Sequence, residues 1–362
     1  MKRNTSPHHY SKRETGYPNG RKSGLKNFLR TRHGKVIFIT ACAVLILVGS
    51  TFVGGEYLLS KIGHMGQNEF GLADSVPSDE TASGPGSGYT VDNDPAAMHF
   101  GTGPILSDPD IQNILLIGSD TRGNEKYGRS DSMLLLSVNH KNNQVKMVSF
   151  LRDLYVKIDG MKDNRINASF AYGGPKLLID TIQNNFRIKI DKYVCVDFSS
   201  FQKAIDAVGG VSINLTSKEA QELNANPGVY GSGMQKVSPG LNRLNGATAL
   251  GYARIRHIDS DFGRTQRQRN VLQALMTSVK HSSPGTMLQI ANTVFPLLKT
   301  DLNNSEIIGL ISQASSFLNN QSEQISVPQA GAYQAKYIRK MDVLVPDIEK
   351  NKQIIWKFLY NK

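Results

Sequence analysis

The sequence predicts an α/β domain built on a mixed central β-sheet with helices on both faces, preceded by one transmembrane helix and a disordered stalk. Three observations predict this. Apolar runs of strand length alternate with runs of helical period through residues 111–362. Two of those strands join through a turn-rich pentapeptide, which makes a hairpin, whereas others join through helices, so the sheet mixes antiparallel and parallel pairs. Residues 36–55 are an unbroken apolar stretch of membrane length.

The elements follow in order. Residues 1–35 hold ten Lys or Arg against one acid, Glu14, without apolar periodicity, and read as a disordered basic tail. Residues 36–55, VIFITACAVLILVGSTFVGG, carry no charge over 20 positions between Lys35 and Glu56. As a helix they cover roughly 30 Å, the hydrocarbon thickness of a bilayer. A cleaved signal peptide is the rival reading, since Val48-Gly49-Ser50 offers small residues, but the leading segment and the apolar run both exceed the usual lengths. Residues 62–110 contain no Lys or Arg, so the charge asymmetry places the N-terminus in the cytoplasm and everything beyond residue 56 outside. Residues 56–110, acidic and rich in Gly, Ser and Pro, read as an extracellular stalk.

The domain, residues 111–362, opens with Ile111–Gly118, a short apolar run ending in glycine, which reads as a buried central strand. Ser132–Val138 and Gln144–Phe150 form the hairpin. Pro175–Phe186 is a helix with Leu177, Leu178, Thr181, Ile182 and Phe186 on one face. Tyr193–Asp197 is a strand, Ser199–Ala207 a helix and Gly210–Leu215 a strand. Residues 217–240 are polar and Gly-rich and read as a loop. Ala247–Ala253, Gln266–Lys280, Met287–Leu298 and Ser305–Leu318 read as helices, Gln324–Val327 as a strand, and Ile348–Tyr360 as the closing helix.

The formal charge of +12 divides unevenly: +9 in the tail, zero over 36–63, −8 over 64–110 and +11 in the domain. A basic domain outside the cell suggests an anionic partner other than nucleic acid. Cys42 falls in the apolar run and Cys195 in a buried strand, so no disulfide is expected, and a domain of this size needs none.

Candidate chemistry gathers in three places. Asp120 and Asp131 flank the loop after the first strand, which contains Gly118-Ser119-Asp120-Thr121-Arg122-Gly123 and Gly128-Arg129-Ser130-Asp131. Paired carboxylates at the C-terminal end of a strand suit a hard cation such as Mg²⁺, although turn aspartates also serve as plain caps. Arg152-Asp153 ends the third strand, and by itself reads as a surface salt bridge. Arg243, Arg254, Arg256, Arg264, Arg267 and Arg269 place six arginines within 27 residues, with Asp259, Asp261 and Gln268 among them. Such a cluster suits a phosphate or pyrophosphate cradle, with a solvated basic face as the alternative. Serine-hydrolase elbows, zinc-protease helices, Walker loops and Cys/His metal spacings are absent, and His140, His257 and His281 are too scattered for a triad.

The runs LLIGSD, GRSDSMLLLSV, VKMVSFLRDLYV, NRINASFAYGG, YVCVDF, AVGGVSINL, YARIRH, DFGRTQRQRNV and VLVPDIE, in this order, resemble the LytR–CpsA–Psr family across residues 111–362. The tail, span and stalk resemble its architecture as well.

The resemblance implies a phosphotransferase of a Gram-positive cell membrane. It would move an anionic glycopolymer (wall teichoic acid, capsular or another wall polysaccharide) from an undecaprenyl-pyrophosphate carrier to peptidoglycan, forming a phosphodiester with Mg²⁺, or Mn²⁺ in its place. It assigns Asp120 and Asp131 to the metal, and Arg152 with these two aspartates to catalysis. Arg129, Arg152, Arg254, Arg256, Arg264, Gln268 and Asp261 fall on the pyrophosphate-binding positions. Leu151 departs from the family's usual proline, and the segment between Arg256 and Asp261 is short, which leaves the role of Asp261 open. A non-catalytic polyprenyl-phosphate or wall-binding protein and a membrane-associated transcriptional attenuator are the alternatives; a 35-residue tail leaves no room for a DNA-reading fold.

Overall fold

The computed structural model of the chain describes residues 59–66, 90–92, 96–120, 127–255, 258–259, 261–280, 289, 292–310 and 323–361. The basic tail, the apolar run 36–55, residues 121–126 and Arg256 lie outside the described residues. Among the described residues no helix is long and apolar enough to cross a membrane.

In chain order the strands and helices begin with β1 (Gly63–His64), β2 (Thr90–Asp92), β3 (Ile111–Asp120), β4 (Arg129–Asn139), β5 (Gln144–Phe150), β6 (Tyr155–Val156) and β7 (Asn164–Arg165). Then come α1 (Ile166–Phe186), β8 (Lys192–Asp197), α2 (Phe198–Ala207), β9 (Val211–Leu215), α3 (Ser217–Ala225), α4 (Pro227–Tyr230) and β10 (Gly240–Leu244). The chain continues through α5 (Gly246–Arg254), α6 (Asp261–Lys280), β11 (Lys299–Thr300), β12 (Glu323–Val327), β13 (Tyr333–Ile338), β14 (Met341–Pro346) and α7 (Ile348–Tyr360).

The central sheet runs β1-β11-β8-β3-β4-β5-β12. It is mixed, as expected: β3 pairs parallel with β8 and antiparallel with β4, and β5 pairs antiparallel with β4 and parallel with β12. Residues alternate between the two faces of a strand. Ile114, Leu116, Leu134 and Leu136 therefore pack with Ile205 of α2, Tyr252 of α5 and Val271 of α6. Leu115, Ile117 and Leu135 pack on the other side with Leu178 and Ile182 of α1 and Ile355 and Leu359 of α7. Burial on both faces explains why β3 and β4 read as near-continuous apolar runs rather than alternating ones.

Helix starts follow local chemistry. The Asp197 carboxylate accepts from the Ser200 backbone N–H at 2.7 Å, Asn245 caps α5 through Thr248, and Thr216 with Glu219 forms a capping box on α3. The expected helix from Pro175 is the second half of α1. Gly173 and Gly174 (φ +62°) break the helical path just before it, and a first half from Ile166 precedes them.

Several expectations need correction. The segment 217–240 is not a loop, since it holds α3 and α4, whose polar residues satisfy caps and whose Ala220, Leu223 and Tyr230 are buried. The strand at Val211–Leu215 leaves the central sheet and pairs with β10, and β13–β14 add an unanticipated hairpin with β2 alongside. The helix expected from Gln266 starts at Asp261.

The stretch 56–110 is not simply a stalk. Leu59 and Ile62 are core residues, β1 pairs with β11 at the sheet edge, and the Met65 carbonyl accepts the Tyr193 hydroxyl at 2.7 Å. Farther on, Leu106 exchanges backbone bonds with Arg187 and Lys189. The acidic residues and many glycines that suggest a linker are compatible with this strap, because its binding runs through backbone groups and a few apolar side chains.

Candidate functional site

Strands β3, β5, β8 and β12 end at one edge of the central sheet, where β4 begins. Along β3 and β4 the register shifts at this edge: Gly118 faces Ser132 and Ser119 faces Ser130, so Asp131 is the extra residue of a β-bulge. A bulge re-aims its side chain out of the ladder. Asp120 ends β3 and lies opposite Arg129, which opens β4. Both sequence-predicted aspartates thus reach the same edge.

Arg152 follows β5 directly. Its Nη1 donates to Asp131 Oδ1 at 2.6 Å, with only 7% of the arginine side chain and 16% of the aspartate exposed. Asp153 Oδ1 lies 3.5 Å from Arg152 Nε and 3.3 Å from Arg165 Nη1. The expected surface salt bridge is instead a buried chain of alternating charge, Asp131–Arg152–Asp153–Arg165. Its backbone is pinned by two bonds: Leu151 N–H to the Val327 carbonyl at 2.8 Å and Leu344 N–H to the Asp153 carbonyl at 2.9 Å. A proline at position 151 lacks the N–H for the first bond, so Leu151 anchors the segment in a different way.

The arginines of α5 and α6 approach from the other side. Arg254 ends α5, stacks over the Phe198 ring at 5.6 Å from its centroid, and donates to the Tyr230 carbonyl at 3.4 Å. Arg264 on α6 is 3% exposed, and the half-buried Gln268 follows it by about one turn. Burial acts to raise the Asp131 carboxyl, but the guanidinium groups of Arg152, Arg264 and Arg254 outweigh it and hold that carboxyl below the usual carboxylate range. Three arginines from separate parts of the chain therefore converge on one aspartate.

Arg243 and Arg267, counted with the cluster in the sequence, are engaged elsewhere. Arg243 Nε donates to the Gly209 carbonyl at 2.7 Å, and Arg267 pairs with Asp259. The Arg256 position and the side chains of Asp120, Asp261 and Arg269 lie outside the described residues. Sequence reasoning missed Arg165 and Phe198. Arg165 is the second residue of the NRINASFAYGG run, and its place directly before a helix was the signal available. Phe198 had none, because an aromatic after a strand reads as core.

The donor set suits a hard cation shared with substrate. The Asp131 carboxylate stays ionised through the neutral range, Asp120 ends the adjacent strand, and the hydroxyl of Ser130, next to Asp131 in the chain, is buried without a hydrogen-bond partner. Mg²⁺ commonly takes one or two carboxylates and completes its shell with water and phosphate oxygens. Cys195 nearby is not a nucleophile: burial pushes its thiol up to about 12.

Comparison with known proteins gives consistent matches. The LytR_cpsA_psr family model matches residues 89–356. A Bacillus cereus protein named polyisoprenyl-teichoic acid–peptidoglycan teichoic acid transferase TagU is 34% identical over 230 residues, 62% of this chain and 71% of that one. The regulatory protein MsrR of Staphylococcus aureus is 38% identical over 181 residues, 49% of this chain and 52% of its own. The solved structure of TagT bound to LIIa-WTA superposes with a TM-score of 0.56 at 27% identity, covering 70% of this chain and 91% of that chain.

Proposed function

The chain belongs to the LytR–CpsA–Psr family, and from that premise we propose that it transfers an anionic wall glycopolymer from a polyprenyl-pyrophosphate carrier to peptidoglycan. The observation that carries the reading is the convergence of Arg152, Arg254 and Arg264 on Asp131 at the sheet edge. Arg152 and Arg264 are buried and Arg254 half-buried beside this carboxylate. A pyrophosphate is the anion whose geometry such a group of arginines reads best.

In the reaction, a hydroxyl oxygen of peptidoglycan attacks the phosphorus joined to the polymer. The bond from that phosphorus to the bridging oxygen breaks, the lipid phosphate leaves with its electron pair, and the proton of the attacking hydroxyl passes to that phosphate or to solvent. Arg152, Arg254 and Arg264, with Arg129 and Gln268, bind the pyrophosphate and offset the charge that develops on its oxygens, and the family pattern adds Arg256 to the set. Arg165 and Asp153 hold the Arg152 guanidinium in place. Asp120 and Asp131 would hold Mg²⁺, which when bound adds charge neutralisation at the same oxygens. A carboxyl held below its usual range is a weak proton acceptor, so Asp131 orients arginines and cation better than it serves as general base.

The apolar run 36–55 anchors the protein in the cell membrane with the tail inside. What supports this is the charge asymmetry on the two sides of the run, and an anchor of this kind would hold the domain at the membrane face where a lipid-linked donor lies. The test is release of undecaprenyl phosphate from a lipid-linked donor by purified protein, with Mg²⁺ present or chelated, together with polymer recovered on peptidoglycan. Donor binding without release in either condition would make this a binding protein instead.

A further inference from the structure

Arg267 lies in the densest arginine cluster, yet its guanidinium is already spoken for. Nη1 and Nη2 each donate to one oxygen of Asp259 at 2.7 Å, a two-pronged pair, and Nη2 also donates to the Ile255 carbonyl at 2.7 Å. Glu219 of α3 adds a carboxylate 3.7 Å from Nη1, and the arginine side chain is only 4% exposed. Two carboxylates and a carbonyl thus engage both terminal nitrogens of this group.

The clamp joins two points that matter. Ile255 directly follows Arg254, and Arg267 lies one helical turn beyond Arg264 on α6. Tying the Ile255 carbonyl to Arg267 therefore sets Arg254 relative to Arg264, the two arginines of α5 and α6 whose charges act on Asp131. Gly263 belongs to the same device. A Cβ there would meet the Asp259 carboxylate at 2.3 Å, so a larger residue has to push that carboxylate from its place against α6, where it takes both prongs of Arg267.

We propose that Arg267, through Asp259 and the Ile255 carbonyl, is a positioning residue that holds Arg254 and Arg264 at the spacing a pyrophosphate requires. The proposal rests on the reading of Arg254 and Arg264 as pyrophosphate ligands. Lysine at 267 keeps the charge but cannot make the fork. Gly263→Ala keeps Arg267 itself and displaces its partner.

The experiment titrates geranyl pyrophosphate into the detergent-solubilised full chain by calorimetry, with thermal melting of each variant alongside. Arg267→Lys and Gly263→Ala should each weaken binding by about tenfold, the size of an ordinary coupling between neighbouring residues. Arg243→Ala, which loses bonds only to the Gly209 and Val208 carbonyls, should leave affinity unchanged. In an Arg254→Lys background, adding Arg267→Lys should cost little more, because the residue acts through Arg254. A merely structural arginine would lower melting temperature and multiply its loss with that of Arg254→Lys, which would overturn the proposal. So would wild-type affinity in both Arg267→Lys and Gly263→Ala. If the wild-type chain itself does not bind the probe, the pyrophosphate reading fails and takes the proposal with it.

Discussion

The Arg152 guanidinium and the Asp131 carboxylate meet at 2.6 Å, although 21 residues separate them and neither belongs to the other's strand. The contact exists because a bulge pushes Asp131 out of β4 just where β5 delivers Arg152. It makes one unit of two features that look independent in the sequence.

That pairing has a cost when it is broken. Arg152→Ala leaves Asp131 and Asp153 short of a partner in a buried setting, so it should lose about 3 kcal/mol of stability as well as activity. Urea unfolding of Arg152→Ala beside Arg152→Met and wild type measures this. A stability equal to wild type for Arg152→Ala would mean that water enters the site freely.

Acid should act through the same aspartate. Its carboxyl lies lower in the folded state than in the unfolded one, so the pairing contributes stability above the unfolded value of about 3.9. That contribution fades as pH falls through the folded value. Wild type should therefore be more stable than Asp131→Asn at pH 7, with the gap closing at acid pH. Melting temperatures across pH 3–7 follow the gap, and a constant difference would contradict the assignment.

The strap at residues 59–66 should contribute to the fold. Leu59 is 2% exposed in the core, so Leu59→Ala is expected to cost about 2–5 kcal/mol. Chemical denaturation of a chain starting at residue 57 against one starting at 67 extends the test, since the shorter one also loses β1 and the acceptor of the Tyr193 hydroxyl. Equal midpoints would mean the strap is dispensable.

Gly246 sets the seat of α5. A Cβ there would meet the Gln202 carbonyl at 2.3 Å and the Asp206 carboxylate at 2.8 Å, so Gly246→Ala must push α5 away from α2. Overpacking of this kind costs about 1–3 kcal/mol. Because α5 carries Arg254, turnover should fall by more than the change in melting temperature accounts for.

Cys195 offers a probe. With its thiol buried and pushed up to about 12, it should resist iodoacetamide at pH 8 in a Cys42→Ser background until the domain unfolds. Rapid labelling of the native protein would contradict the burial.

Some of this was legible in the chain itself. The runs of β3, β5 and β8 stand out because strands buried on both faces must be apolar at nearly every position. The closing helix was legible from end to end, since Asp347 caps it and its apolar residues recur at helical spacing. Arg152, Asp131, Arg254 and Arg264 were legible as charged groups at element ends. The weakest reading was 217–240, where capping residues imitate a loop, and 59–66, where a strap held by backbone bonds carries few apolar side chains.

What the sequence determined by itself was therefore the inventory: which segments alternate, where the charges stand, and which family pattern they follow. Only the tertiary structure decided which arginines act together. The charges of Arg254 and Arg264 act on Asp131, whereas Arg243 and Arg267 bind carbonyls and carboxylates of their own. The physical reason is that an arginine's partner is set by where its element ends and what packs beside it. A one-residue bulge at Asp131 and a missing Cβ at Gly263 set those partners, and both act through space rather than along the chain.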